Sequence, residues 1–169
     1  MLQFEIINGP DLSDSDLVTF VKLVGQGGAV NEKFVKRGLK RIGAKAVFAK
    51  VNGSTVAVAA LKVPLDSYRQ GLEEAAKSGY PIPEKLYPFE LGYVSVSPVY
   101  QRQGIAEKLV EQILNLSNNK GMFATTSNPG MKHKILPRLG FRAVGNTWEN
   151  DQQVQLQLMV TDQSLRASD

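Results

Sequence analysis

The sequence predicts an α/β fold, and three features carry that expectation. Apolar, β-branched runs at Ala44–Val51 and Thr55–Val63 bracket Asn52-Gly53, the dipeptide that best suits a tight type I′ turn, so they form a hairpin. The stretch ELGYVSVSPVYQRQGIAEKL, Glu90 to Leu109, reads as a strand, a Ser-Pro turn, a loop closed by glycine and a helix that starts at once. Elsewhere along the chain, segments of helical period alternate with short apolar strands.

Leu2–Ile7 alternates as a first strand, stopped by Asn8-Gly9-Pro10. Ser13 and Asp14 can cap a helix running to about Val24, with Leu17, Phe20, Val21 and Val24 at helical spacing and Gly25, Gly27 and Gly28 ending it. A second helix, about Asn31 to Arg41, turns Phe34, Val35, Leu39 and Ile42 inward and carries Lys33, Lys36, Arg37, Lys40 and Arg41 on its other side. After the hairpin, Leu65–Phe89 is a long connection with a short helix over Tyr68–Lys77, and a connection of that length inside a domain is functional or mobile. The strand Glu90–Val96 and the helix Ile105–Ser117 follow, the latter striped by Ile105, Leu109, Ile113 and Leu116. Met122–Thr125 is a short strand, and Asn128-Pro129 opens a helix to Leu139 that stops at Gly140. Ala143–Thr147 and Gln152–Val160 pair as a closing hairpin. The length of 169 residues suits one domain over 1–162, with a polar tail at 163–169.

Composition narrows the function. The chain has no cysteine, which excludes disulfides, thiolate metal sites and a covalent Cys intermediate within it. His133 is the only histidine, which excludes multi-His metal sites, and no metal is expected. The start MLQFEIINGPD has no basic segment leading into an apolar core, and no apolar run approaches the ~20 residues of a membrane span, so the expected location is cytoplasmic. A net charge of +4 suits an anionic ligand. The basic face Lys33–Arg41 lacks the interleaved aromatics that stack nucleic-acid bases, so nucleic acid is disfavoured as a partner.

A strand that feeds a helix through a glycine-containing loop makes an anion site from backbone alone, because the first-turn N–H groups are unpaired and lie at the positive end of the helix dipole. The loop Gln101-Arg102-Gln103-Gly104-Ile105-Ala106 fits Q/R-x-x-G-x-G/A, and a V-x-P turn (Val96, Ser97, Pro98) precedes it. Leu139-Gly140-Phe141 ends a helix about 35 residues further on. With the order of elements, these motifs resemble the GNAT superfamily of acetyl-CoA-dependent N-acetyltransferases, over nearly the whole chain and most specifically from Glu90 to Phe141.

That resemblance implies a central mixed, mostly antiparallel sheet flanked by helices. Its cofactor site is the loop Gln101, Arg102, Gln103, Gly104, Ile105 and Ala106: backbone N–H groups from Gln103 to Ala106 hold the pyrophosphate of acetyl-CoA, and Arg102 adds a charge-assisted contact or else is a solvated loop residue. The main chain of Val94, Ser95 and Val96 lies along the pantetheine arm, and Asn128 contacts the cofactor or else serves as a plain helix cap. Glu90 stands where the histone-acetyltransferase branch carries its general base. The Tyr that reprotonates the CoA thiolate in this superfamily is replaced by Leu136, with Pro137 after it, and His133 lies one turn earlier. The implied reaction is direct transfer of acetyl to a primary amine in a ternary complex, since no cysteine exists to carry an acyl group. The acceptor is a small-molecule or protein amine, shaped by residues among Tyr68, Arg69, Glu73, Glu74, Tyr80 and Tyr87, and a homodimer is compatible with the sequence. The alternative is a GNAT-fold module that binds acyl-CoA as a sensor or interaction partner without catalysis.

Overall fold

The computed structural model describes residues 1–26 and 31–161. Gly27, Gly28 and the tail 163–169 lie outside the described residues. The elements are β1 (Leu2–Asn8), α1 (Asp14–Gln26), α2 (Glu32–Leu39), β2 (Lys45–Val51), β3 (Ser54–Lys62), α3 (Asp66–Glu73), β4 (Phe89–Val96), α4 (Ile105–Leu116), β5 (Met122–Thr126), α5 (Leu136–Arg138, led in by a π turn, Met131–Ile135), β6 (Arg142–Glu149) and β7 (Gln155–Thr161). Hydrogen bonding joins the strands in the order β1-β2-β3-β4-β5-β7-β6. The pairs β1–β2, β2–β3, β5–β7 and β6–β7 are antiparallel and β4–β5 is parallel, giving the mixed, mostly antiparallel sheet that the sequence predicts. Among the described residues, no helix is long and apolar enough to cross a membrane.

The chain divides into two compact units. The first comprises Met1–Val63 and Leu91–Leu116. Its hairpin turns at Asn52 (φ 51°) and Gly53 (φ 82°), the two positive φ values of a type I′ turn. The strands it joins are buried over Ala46–Ala49 and Val56–Leu61, on both faces, which explains their runs of small and β-branched residues in place of alternation. Ser13 caps α1 reciprocally: its Oγ accepts from Asp16 N at 3.0 Å, and Ser13 N donates to Asp16 Oδ2 at 3.0 Å. The buried stripe of α1 is Leu17, Phe20, Leu23 and Val24, and Phe20 packs edge-on against Phe48 and Tyr93 with ring centroids 5.9 and 6.1 Å apart.

Three details depart from the sequence reading. Gly25 lies inside α1, which runs to Gln26, and does not end it. On α2, capped by Asn31 Oδ1 accepting from Phe34 N, Val35 and Leu39 form the buried stripe, while Phe34 is 62% exposed and Ile42 89% exposed. Val35 and Leu39 are one turn apart; Phe34 is rotated by about 100° from Val35, and Ile42 falls after the helix has ended.

Among the described residues, the second unit comprises Pro64–Glu90 and Ser117–Thr161. Leu72, Ile82, Tyr87, Phe123, Val144, Trp148, Leu158 and Val160 form its core. The connection between α3 and β4 is pinned along its length. Ser78 Oγ donates to Leu72 O at 2.5 Å, Glu73 Oε2 accepts from Ile82 N at 2.6 Å, and Asn146 N donates to Ser78 O at 2.8 Å. Gly145 (φ 70°) permits that last approach, since a Cβ there would stand 2.3 Å from Ser78 O.

Candidate functional site

In the first unit, β4 leads into the predicted anion loop. Tyr93 (φ 57°) breaks the regular strand conformation within β4, so Val94, Ser95 and Val96 follow an irregularity. Gly92 beside it was the legible signal, since an isolated glycine in a strand marks a bulge or a close approach. A Cβ on Gly92 would meet the Lys62 side chain, whose Nζ lies 4.5 Å from the centre of the Tyr93 ring. The end of the strand is tied down: Ser95 Oγ donates to Leu23 O at 2.7 Å, Ser97 N to Val56 O at 2.8 Å, and Gln101 Nε2 to Val96 O at 3.1 Å.

The loop itself alternates handedness. Arg102 (φ 65°) and Gly104 (φ 77°) are left-handed, a conformation that turns successive N–H groups into one concavity. A Cβ built on Gly104 would meet nothing within 4 Å, so glycine serves the backbone conformation and open approach here, with no packing role. Lys108 N donates to Gly104 O at 3.3 Å, which opens α4; the N–H groups of Ile105, Ala106 and Glu107 come before it. Gln101 to Gly104 are exposed, whereas Ile105, Leu109, Val110, Ile113 and Leu114 bury the inner face of the helix against β2 and β3. The concavity, the helix dipole and the exposed Arg102 together suit an anion.

In the second unit, Glu90 is 3% exposed. Its carboxylate Oε2 accepts a hydrogen bond from the Tyr68 hydroxyl at 2.9 Å. The backbone just before it is held by Arg69, whose Nη1 donates to Ile82 O at 3.1 Å and Tyr87 O at 2.6 Å and whose Nη2 donates to Pro88 O at 3.0 Å. The guanidinium also lies 5.5 Å from the centre of the Phe123 ring. Burial pushes the Arg69 pKa down, against the pull of Glu84, Asp66, Glu90 and Glu73. A buried Arg on a short helix carries no sequence signature, and neither the Tyr68–Glu90 bond nor the three-carbonyl clamp was legible beforehand. At Phe89↔Met122 and Glu90↔Phe123, β4 pairs with β5, a ladder two residue pairs long.

Asn128 Oδ1 accepts from Met131 N at 3.0 Å, an N-cap. Replacing Asn128 by Ala is expected to lower the unfolding free energy by about 1 kcal/mol in denaturant titration, and Asn128→Asp to preserve it, because either acidic or amide oxygen can cap. Leu136 is fully buried and His133 is exposed. The helix accommodates Pro137 by a π turn over Met131–Ile135, with Leu136 N bonded to Met131 O, placing the widened turn where the proline ring would otherwise meet the carbonyl of His133. Arg69 and Tyr87 are buried in their unit, and the Tyr80 hydroxyl accepts from Arg142 Nη2 at 3.3 Å.

The sequence model described as the acetyltransferase (GNAT) family matches residues 33–141, more than half of this chain. No curated protein sequence matches it. Among solved structures, an acyl-CoA N-acyltransferase from Pseudomonas aeruginosa is similar with a TM-score of 0.69 at 18% identity, over 95% of this chain and 99% of the other. Escherichia coli ElaA is similar with a TM-score of 0.68 at 16% identity, over 95% and 99%. Salmonella typhimurium yncA, a structure with its cofactor acetyl-CoA, gives 0.62 at 16% identity, over 96% and 94%. At such identities the likeness is one of fold.

Proposed function

The chain belongs to the acetyltransferase (GNAT) family, and we propose that it moves an acetyl group from acetyl-CoA directly to a primary amine within a ternary complex. The observation that carries this reading is β4: its second residue, Glu90, is a buried carboxylate, and the chain beyond its far end passes through a 3-10 turn into the left-handed loop at Arg102 and Gly104 that opens α4.

Acetyl-CoA supplies the acetyl group as a thioester whose sulfur leaves as thiolate. The N–H groups of Gln103, Gly104, Ile105 and Ala106 hold the pyrophosphate, and Arg102 adds a charge-assisted contact. Gln101 serves the same site by fixing Val96 O, and so the exit of the strand. Since the Ser95 hydroxyl is engaged with Leu23 O, Val94, Ser95 and Val96 act toward the pantetheine arm through their main chain. The N–H of Val96 polarises the thioester carbonyl. Asn128, its Oδ1 engaged in the cap, contributes its side-chain NH2. Glu90 takes the proton that the attacking nitrogen loses.

One observation favours a second reading, a module that binds acetyl-CoA without turnover: Leu136, at the position of the superfamily's thiolate-protonating Tyr, is fully buried and has no hydroxyl. A thiol with an ordinary pKa of about 8.5 leaves tolerably as thiolate, so the missing Tyr does not forbid transfer. Initial velocities with acetyl-CoA and an amine varied together separate the routes. Intersecting double-reciprocal lines are expected for direct transfer, and parallel lines would overturn it. Calorimetry that detects no acetyl-CoA binding would sink both readings.

A further inference from the structure

The Tyr68 hydroxyl lies 2.9 Å from Oε2 of Glu90, and the two residues differ sharply in environment: Tyr68 is 40% exposed and Glu90 3% exposed. A half-exposed tyrosine on α3 therefore reaches a carboxylate that its own strand buries. The neighbouring Arg69 anchors α3 from the same turn, through the carbonyls of Ile82, Tyr87 and Pro88. Pro88 is two residues before Glu90, so one helical turn fixes both the carboxylate, through Tyr68, and the backbone that delivers it, through Arg69. Both contacts lie within the second unit.

We propose that Tyr68 is a positioning residue for the reaction: its hydroxyl holds the Glu90 carboxylate in the one orientation from which it takes the proton of the acceptor amine. This inference rests on the general-base reading of Glu90. A carboxylate has two oxygens and a rotatable χ3, and general-base catalysis needs one oxygen within hydrogen-bond reach of the departing proton. A hydrogen bond donated to a charged group removes that freedom and is stronger than a neutral one. Tyr68 acts through Glu90, without touching the reacting atoms, and it holds no acetyl-CoA. Its loss therefore falls on turnover and leaves the binding of acetyl-CoA intact.

The test is a double-mutant cycle of Tyr68→Phe and Glu90→Gln, read by CoA release from acetyl-CoA with an Nα-blocked lysine peptide and an aliphatic diamine as the amines. The phenylalanine keeps the ring of a half-exposed residue, and thermal midpoints of the variants check folding. Tyr68→Phe is expected to lower kcat about 10-fold, the worth of one hydrogen bond to a charged group, with KM for acetyl-CoA unchanged. In the Glu90→Gln background it is expected to cost nothing further, because the residue it orients no longer takes the proton. Full turnover in Tyr68→Phe alongside a crippled Glu90→Gln overturns the role of Tyr68 and leaves Glu90 standing. An equal loss from Tyr68→Phe in both backgrounds also overturns it, since Tyr68 then acts independently of Glu90. Full turnover in Glu90→Gln overturns the general base itself, and with it this inference.

Discussion

Glu90→Gln is expected to lower turnover by about 10²–10⁴-fold, the usual worth of a general base, with acetyl-CoA affinity unchanged. The two parts of the expectation follow from where the residue lies. Glu90 is buried at the start of β4, and the predicted pyrophosphate loop does not begin until Gln101, so removing the carboxylate leaves that proposed loop untouched. Glutamine has the same shape, and its amide oxygen still accepts from Tyr68, so the fold and the local hydrogen bond survive. What the amide lacks is basicity. Steady-state kinetics and calorimetry on one preparation check both halves, and kcat unchanged in the variant across roughly pH 6 to 9, about one unit below neutral to two above, removes Glu90 from the mechanism.

Gly104→Val is the complementary case, expected to weaken binding where Glu90→Gln spares it. A β-branched residue in the left-handed region costs roughly 1–2 kcal/mol, and hydrogen bonds to a charged group are worth about 1.5–3 kcal/mol each. Losing the conformation and one N–H contact together weakens acetyl-CoA by about 100-fold, or about 2.7 kcal/mol. The native φ of 77° and the open space within 4 Å of a Cβ at this position put the cost in the loop backbone, with no protein atom against the Cβ. The variant therefore keeps its fold, and calorimetry with acetyl-CoA and with CoA reads the loss directly. Affinity equal to that of the unaltered protein would show that the loop does not hold the pyrophosphate.

The elements most legible in the sequence were those whose signal is local. Asn52-Gly53 specifies its turn by backbone conformation alone, Ser13 carries a hydroxyl suited to a helix cap, and Gly104 meets a left-handed requirement that few other residues tolerate. The stripe of α2 was misread because Phe34 and Val35 are both apolar and only packing decides which faces inward. The irregularity at Tyr93 was signalled by Gly92 but shows no more than a glycine in a strand. Arg69 and Tyr68 were visible only as polar residues near a site. Their roles depend on Ile82, Tyr87, Pro88 and Glu90, 13 to 22 residues away in the chain, a separation at which no spacing rule operates. Pro137 announced a broken helical bond, whereas the π turn that absorbs it is a response of the backbone that composition does not encode.

Transfer of acetyl from acetyl-CoA to an amine is read by following CoA release with a thiol reagent across a panel of amines: an aliphatic diamine, an Nα-blocked lysine peptide and a peptide with a free α-amino group. Amine-dependent release is expected, one CoA for each acetylated product found by mass spectrometry, and it collapses in Glu90→Gln. Tight binding of acetyl-CoA with no release above the amine-free rate for any primary amine would contradict it, leaving a protein that holds the cofactor and transfers nothing.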